Sequence, residues 1–389
     1  MNDMTPVAAR AQEQAASPLF TAVPLGRYTL PNRIVMAPMT RDRTPGQVPN
    51  ALNAEYYAQR ATAGLIVTEG VAPHPMGLGY IDIPGLYTDE QALGWREVSR
   101  AVRQAAREQG AEGGRIFAQL MYVGRVSHPD FLDGRTPFGP SAIRPEGATF
   151  TVDGPKPFVE PRAMTEADIE EALESYAHAA GLAVGPAELD GVEIHGANGY
   201  LPSQFLAPNA NQRTDAWGGD VPRRARFLLE AVDRAAAAIG PDRVGVRLSP
   251  GGTFNDIHDT DWPATYAYVL PELDRRGLAY IHVVAPQAAP GPNPDSAGPS
   301  VAALARSQVR QTPLMLNGGY DRERAEADLW EKRADLVSFG VPFLANPDLP
   351  RRMAENAALN APDPSTFYAG GPKGYVDYPR LDEPASRVA

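Results

Sequence analysis

The chain has 389 residues, of which 43% are hydrophobic and 21% charged, a balance that suits a globular protein with a large buried core. Its formal net charge of −11 argues against nucleic acid or an anionic membrane surface as a partner, since both demand a basic face. Cysteine is absent, which excludes disulfides, thiolate zinc sites, iron–sulfur clusters and a thiol nucleophile together.

In chain order, Met1 to Ser17 is a polar, Ala/Gln-rich stretch with nothing to pack against, and a flexible tail is expected there. It lacks a basic segment followed by an apolar core, and no later apolar run approaches a membrane span. A cytosolic protein is therefore expected. Residues 18–389 then alternate short apolar runs with longer amphipathic stretches. The runs Ile34–Ala37, Leu65–Glu69, Arg115–Leu120, Gly191–His195, Val244–Leu248, Tyr280–Val284, Leu314–Asn317 and Leu336–Gly340 read as buried strands. Between them, Glu90–Glu108, Thr165–Val184, Pro222–Ile239, Trp262–Arg276 and Asp321–Lys332 read as helices. Thr165 and Asp168 have capping-box spacing, and Gly240-Pro241 is a helix stop.

Eight strands alternating with helices predict a parallel sheet, and two features favour a closed (β/α)8 barrel over an open one. No G-x-G-x-x-G follows the first strand, and polar residues recur just beyond the carboxyl ends of many strands, where barrel active sites are built. Gly124–Met164, long and rich in Gly and Pro, is expected to be an excursion or lid after the third strand. Pro286–Pro299 is a second candidate flap.

The fourth strand runs into His195-Gly196-Ala197-Asn198-Gly199-Tyr200, which gathers three polar side chains in one short segment. His195 and Asn198 can each donate a hydrogen bond, and two donors converging on one carbonyl oxygen polarise an enone as an oxyanion hole does. The Tyr200 phenol has a proton to give to the neighbouring carbon. Taken singly, each residue is better read as a satisfied histidine or a tyrosine packed over the barrel rim.

Longer stretches decide between these readings. Pro31-Asn32-Arg33-Ile34-Val35-Met36-Ala37-Pro38-Met39-Thr40-Arg41, Gln119-Leu120 with Gly124-Arg125, and the His195–Leu201 segment occur in order. They are followed by Asn211–Asp215 with Gly218-Gly219, Arg247–Pro250, Phe343–Leu349 and Gly374–Pro379. On these motifs the chain resembles, over nearly its full length, the Old Yellow Enzyme family of FMN-dependent ene-reductases.

The resemblance implies a single TIM barrel with an N-terminal hairpin, holding FMN and taking hydride from NADPH or NADH. It implies a small-molecule substrate, an activated alkene, with no metal ion, and a monomer or homodimer is expected. By the same resemblance Thr40, beside Pro38 and Met39, bonds the flavin O4, and Gln119 binds the pyrimidine edge. Arg247 stands beside flavin N1 and O2, and the Gly70 backbone approaches the flavin. His195 and Asn198 hold the substrate carbonyl, and Tyr200 donates the proton. Tyr80, Phe254 and Tyr375 match aromatic positions above the flavin, each equally compatible with plain core packing. Gly318, Gly319 and Gly340 match the phosphate-binding turns. Arg213, Asp215 and Arg226 are read as a loop latch.

Two positions depart from the family pattern. Val341 stands where the family usually has an arginine, which removes a bidentate phosphate contact and leaves Arg322 or Arg324 to compensate. Met121-Tyr122 replaces the usual Trp-His, so a more adaptable substrate pocket is expected at Met121. A dienoyl-CoA reductase needs cysteines that are absent. A lyase or aldolase needs a lysine or metal-binding carboxylates at a strand end, and Lys156, Lys332 and Lys373 are the only lysines.

Overall fold

A computed structural model describes residues 17–110, 114–285, 300–368 and 370–383. The candidate flap Pro286–Pro299 and residues 1–16 of the expected tail lie outside the described residues. Ser17, read as the end of that tail, is instead buried, and its hydroxyl donates to Glu326 at 2.7 Å.

The chain begins with an antiparallel hairpin, β1 (Val23–Leu25) and β2 (Tyr28–Leu30). Parallel strands follow: β3 (Ile34–Met36), β4 (Leu65–Val71), β5 (Ile116–Leu120), β10 (Gly191–Gly196), β11 (Val244–Leu248), β12 (Tyr280–Val284), β13 (Leu314–Asn317) and β14 (Leu336–Phe339). They close in the order β10-β11-β12-β13-β14-β3-β4-β5, so the sheet is a (β/α)8 barrel. The strands are short and almost wholly buried because both faces are covered, one by helices and one by the barrel interior.

The interior is built in layers. Hairpin residues Val23, Leu25 and Leu30 close the bottom, packed in one cluster with Val35, Leu65, Val67, Phe117, Tyr280, Met315 and Leu336. Glycines make room for the rings: a Cβ on Gly245 would lie 2.3 Å from Tyr280, and one on Gly191 would lie 2.6 Å from Phe117. One residue pair further along six of the strands the inward positions turn polar, at Gln119, Glu193, Arg247, His282, Asn317 and Ser338.

The five expected helices form within one to two residues of their predicted ends, as Asp89–Glu108, Glu166–Val184, Val221–Ile239, Trp262–Asp274 and Arg322–Trp330. Thr165 and Asp168 make the reciprocal capping box, and Gly240 ends its helix at φ 90°. Helices Ala51–Ala58, Leu201–Leu206 and Val301–Gln308 were not legible, each being too short for a convincing period. The 124–164 excursion carries its own structure: β6 (Phe138–Gly139) pairs with β9 (Arg162–Ala163), and β7 (Ala148–Thr151) with β8 (Gly154–Pro157). Arg213 ties both arms of it down, donating to the Pro140 carbonyl at 2.9 Å and the Met164 carbonyl at 2.7 Å. Arg226 stacks over Trp217 at 4.1 Å. Among the described residues no helix is long and apolar enough to cross a membrane.

Candidate active site

A cleft of about 300 Å³ opens at the carboxyl ends of the barrel strands. Pro38, Met39 and Thr40 after β3, Gln119 and Met121 at the end of β5, His195, Asn198 and Tyr200 from β10 onward, and Arg247 on β11 all line it. A larger cavity, about 900 Å³, lies at the opposite end among Arg33, Arg310 and Trp330. The smaller cleft is the candidate site, because buried donors converge on one space there.

The local backbone is arranged to deliver those donors. Asn198 sits at φ 56°, a left-handed conformation that asparagine tolerates better than most residues. Its N–H donates to Ser249 Oγ at 2.8 Å, and its carbonyl accepts from Asn255 Nδ2 at 2.9 Å. The Asn198 amide itself makes no hydrogen bond within the described residues and is left for a ligand. His195 is buried, and its Nδ1 accepts from the Ala197 N–H at 3.3 Å. Burial, with the charge of Arg247 nearby, pushes its pKa well below the usual imidazole range. A neutral ring with Nδ1 accepting carries its proton on Nε2, which makes it a donor. The Tyr200 ring meets His195 edge-on, with centroids 4.7 Å apart. Its hydroxyl lies 2.8 Å from the Tyr80 hydroxyl. Burial and the Tyr80 neighbour push the Tyr200 phenol well above its usual range, so it stays protonated.

The other face of the cleft suits a flavin. The Arg247 guanidinium donates through Nη2 to Asn317 Oδ1 at 3.0 Å, while its buried Nε has no partner among the described residues. An orphaned buried donor on a cation fits an anionic ring edge. Gln119 presents an amide, a donor and acceptor together, matching a pyrimidine edge. Gly318 at φ 135° and Gly319 at φ 68° shape an open backbone turn after β13. Gly340 follows β14 next to Met39.

Several sequence expectations are redrawn by the packing. Phe254 lines the cleft, but Tyr80 reaches it only through the Tyr200 hydroxyl. Tyr375 does not line it at all. Its ring is fully buried and stacked on Tyr56 at 4.0 Å, with its hydroxyl accepting from Asn53 Nδ2 at 3.1 Å. The aromatic wall comes instead from Phe367 and Tyr368, a few residues upstream. The Phe-Tyr pair shortly before Gly374-Tyr375 was the available signal, but aromaticity alone does not say which ring is turned inward. Leu344 is a further lining residue missed. Gly70 is not among the lining residues: a Cβ there would lie 2.5 Å from Met121 Sδ, so it makes room for that side chain. None of the 124–164 excursion lines the cleft, so its expected lid role has no counterpart in this geometry. No lysine lines the cleft either.

Such a barrel, whose one cleft gathers a buried arginine, a glutamine amide, a neutral histidine, an asparagine amide and a protonated phenol, has the make-up of a flavin-dependent oxidoreductase. Residues 18–360 match the NADH:flavin oxidoreductase / NADH oxidase family, and the chain belongs to it. The flavin oxidoreductase hxnT of Emericella nidulans is 39% identical over 93% of this chain and 97% of its own length. 12-Oxophytodienoate reductase 1 of Oryza sativa is 39% identical over 96% of each. Morphinone reductase, solved in complex with tetrahydroNAD, superposes with a TM-score of 0.86 at 45% identity, covering 94% of this chain and 98% of that one. The Old Yellow Enzyme homologue from Zymomonas mobilis does so at 0.86 and 39%, covering 93% and 99%. The chain is therefore an Old Yellow Enzyme-type FMN oxidoreductase that uses a nicotinamide as hydride donor.

Proposed function

We propose that the protein reduces the activated C=C bond of α,β-unsaturated carbonyl or nitro compounds with NADPH or NADH, by a ping-pong mechanism. The observation that carries this reading is the gathering of His195, Asn198 and Tyr200 with Gln119 and Arg247 in one cleft. Relatives named for reducing 12-oxophytodienoate, morphinone and chanoclavine-I aldehyde support it.

FMN, when bound, supplies the two-electron carrier that accepts hydride from the nicotinamide and passes it to the β-carbon of the alkene. The protein's own residues do the rest. His195 Nε2–H and the Asn198 amide hold the carbonyl or nitro oxygen and stabilise the charge that grows there. Tyr200 gives its proton to the α-carbon, completing addition of H₂ across the double bond. One cleft carries both sets of residues, so nicotinamide and alkene must occupy it in turn. Anaerobic reduction of the purified yellow protein by NADPH or NADH, followed by reoxidation with cyclohexenone or maleimide, tests the proposal. A colourless protein that takes up no added flavin would overturn it.

The phosphate end of the cofactor lacks the usual arginine at position 341, since Val341 is 45% exposed and cannot pair with an anion. Of the two compensating candidates, Arg324 sits at the right turn, its Nη1 donating to the Gly318 carbonyl at 2.6 Å. Arg322 is committed to Glu326 at 2.8 Å and to the Met353 carbonyl at 2.6 Å. Arg324→Ala is expected to weaken FMN binding to apoprotein about tenfold, a loss of about 1.4 kcal/mol, with Arg322→Ala near neutral. Equal effects from the two substitutions would contradict this assignment.

Met121 lines the cleft, packed against Gly70. A flexible thioether there leaves the alkene more than one way to lie on the flavin. Met121→Trp is expected to change the enantiomer ratio of a prochiral enone product. An unchanged ratio by chiral chromatography would show that this wall does not choose the face.

A further inference from the structure

We propose that Glu193, His282, Ser338 and Asn317 form an open ring of hydrogen bonds inside the barrel that orients the Gln119 amide and the Arg247 guanidinium toward the flavin. The proposal deepens the FMN reading above and rests on it.

The ring can be followed strand by strand. Gln119 Nε2 donates to Glu193 Oε1 at 2.8 Å, and Glu193 Oε2 lies 2.8 Å from His282 Nδ1. His282 Nε2 lies 2.8 Å from Ser338 Oγ. The Ser338 carbonyl accepts from Asn317 Nδ2 at 3.1 Å, and Asn317 Oδ1 accepts from Arg247 Nη2 at 3.0 Å. β5, β10, β12, β14, β13 and β11 thus contribute one member each, and the two ends of the chain are the two flavin-facing residues.

Proton bookkeeping makes the ring directional. Burial, together with the Arg247 charge, keeps His282 below its usual range against the pull of Glu193. A neutral imidazole has one N–H, and placing it on Nε2 would set a bare nitrogen against the Glu193 carboxylate. The proton therefore sits on Nδ1, and Nε2 accepts from the Ser338 hydroxyl. Burial disfavours the Glu193 carboxylate, but His282, Arg247 and Gln119 hold it ionised. A carboxylate accepts only, so Gln119 must turn its NH₂ toward Glu193. That leaves the Gln119 oxygen and one remaining N–H for the cofactor edge, with no freedom to flip.

A purely structural layer would not need this chemistry. The layer beneath packs Phe117, Met315 and Leu336 with the Tyr280 ring, whose hydroxyl neighbours Glu193, and a buried carboxylate is costly compared with such packing. Glu193 also supplies the countercharge to Arg247 inside the barrel. That sets how strongly the guanidinium favours a negatively charged reduced ring over the neutral oxidised one.

The test uses the holoprotein. Glu193→Gln removes the countercharge at nearly constant shape. It is expected to raise the affinity for reduced relative to oxidised FMN about tenfold, ~30 mV upward for a two-electron couple. Ser338→Ala leaves the carboxylate in place, so the midpoint should stay put, while the changed ¹⁵N signal identifies His282. In the native protein, histidine ¹⁵N NMR should show His282 as a single neutral tautomer with its proton on Nδ1. A folded Glu193→Gln variant whose potential is unmoved or falls, or an Nε2–H tautomer for His282, would overturn the proposal. If Glu193→Gln does not fold, the tautomer decides it alone. Failure to bind FMN at all would instead sink the functional reading, and the His282 tautomer would still report on the ring.

Discussion

Tyr200→Phe is expected to slow alkene reduction by about 10²–10⁴-fold, the range that a positioned general acid contributes. Reduction of the bound flavin by NADPH or NADH should proceed at the parent rate, because that half-reaction needs no proton from Tyr200. The expectation rests on where the hydroxyl lies. Tyr200 lines the cleft, its phenol is held protonated by burial and by the Tyr80 neighbour, and its ring is braced edge-on against His195. Phenylalanine keeps that brace and removes only the proton and the 2.8 Å contact to Tyr80. Stopped-flow measurement of the two half-reactions separates the outcomes. Equal loss in both would mean that Tyr200 shapes the cleft and is not the acid.

The second large effect concerns the C-terminal segment that carries Phe367 and Tyr368 over the cleft. Two buried arginines hold it down by its backbone. Arg41 donates to the Phe367 carbonyl at 3.0 Å and the Gly374 carbonyl at 2.7 Å. Arg43 reaches the carbonyls of Gly371 at 2.9 Å, Thr366 at 2.8 Å and Lys373 at 3.0 Å. Tyr375, stacked on Tyr56, lies beneath both guanidinium groups. Arg43→Met strips those carbonyls of their donor, at about 1–3 kcal/mol for each that stays buried unpaired. The segment relieves that cost by lifting into water, which opens one wall of the cleft. The expected result is a KM for the alkene raised about tenfold or more, since 1.4 kcal/mol is a factor of ten. Trypsin should cut near Lys373 in the variant and spare the parent. An unchanged KM and equal protection would show that the segment is held by other contacts.

That segment also marks the limit of what the motifs convey. The strand runs and the helices between them were readable because a barrel imposes two simple periods, one apolar run per strand and one amphipathic face per helix. The excursion announced itself by composition, yet nothing in its Gly and Pro content says that it packs away from the cleft. Gly70 matched a position said to approach the flavin, and only the packing shows Met121 filling the space beside it. Tyr375 and Tyr368 differ by a few residues and are chemically alike. One is buried under two arginines and the other lines the cleft.

The sequence by itself determined the barrel and the flavin-oxidoreductase character, and it singled out His195, Asn198 and Tyr200 as the candidate residues of one short segment. Those depend on local order along a strand and on motifs whose members are near neighbours in the chain. The tertiary structure alone decided which aromatic residues wall the cleft, which arginine stands at the Gly318 turn, and that Gln119 and Arg247 are joined through Glu193, His282, Ser338 and Asn317. Such contacts are made across barrel strands and between chain ends, where burial and the donor or acceptor state of a partner, not sequence spacing, choose which groups meet.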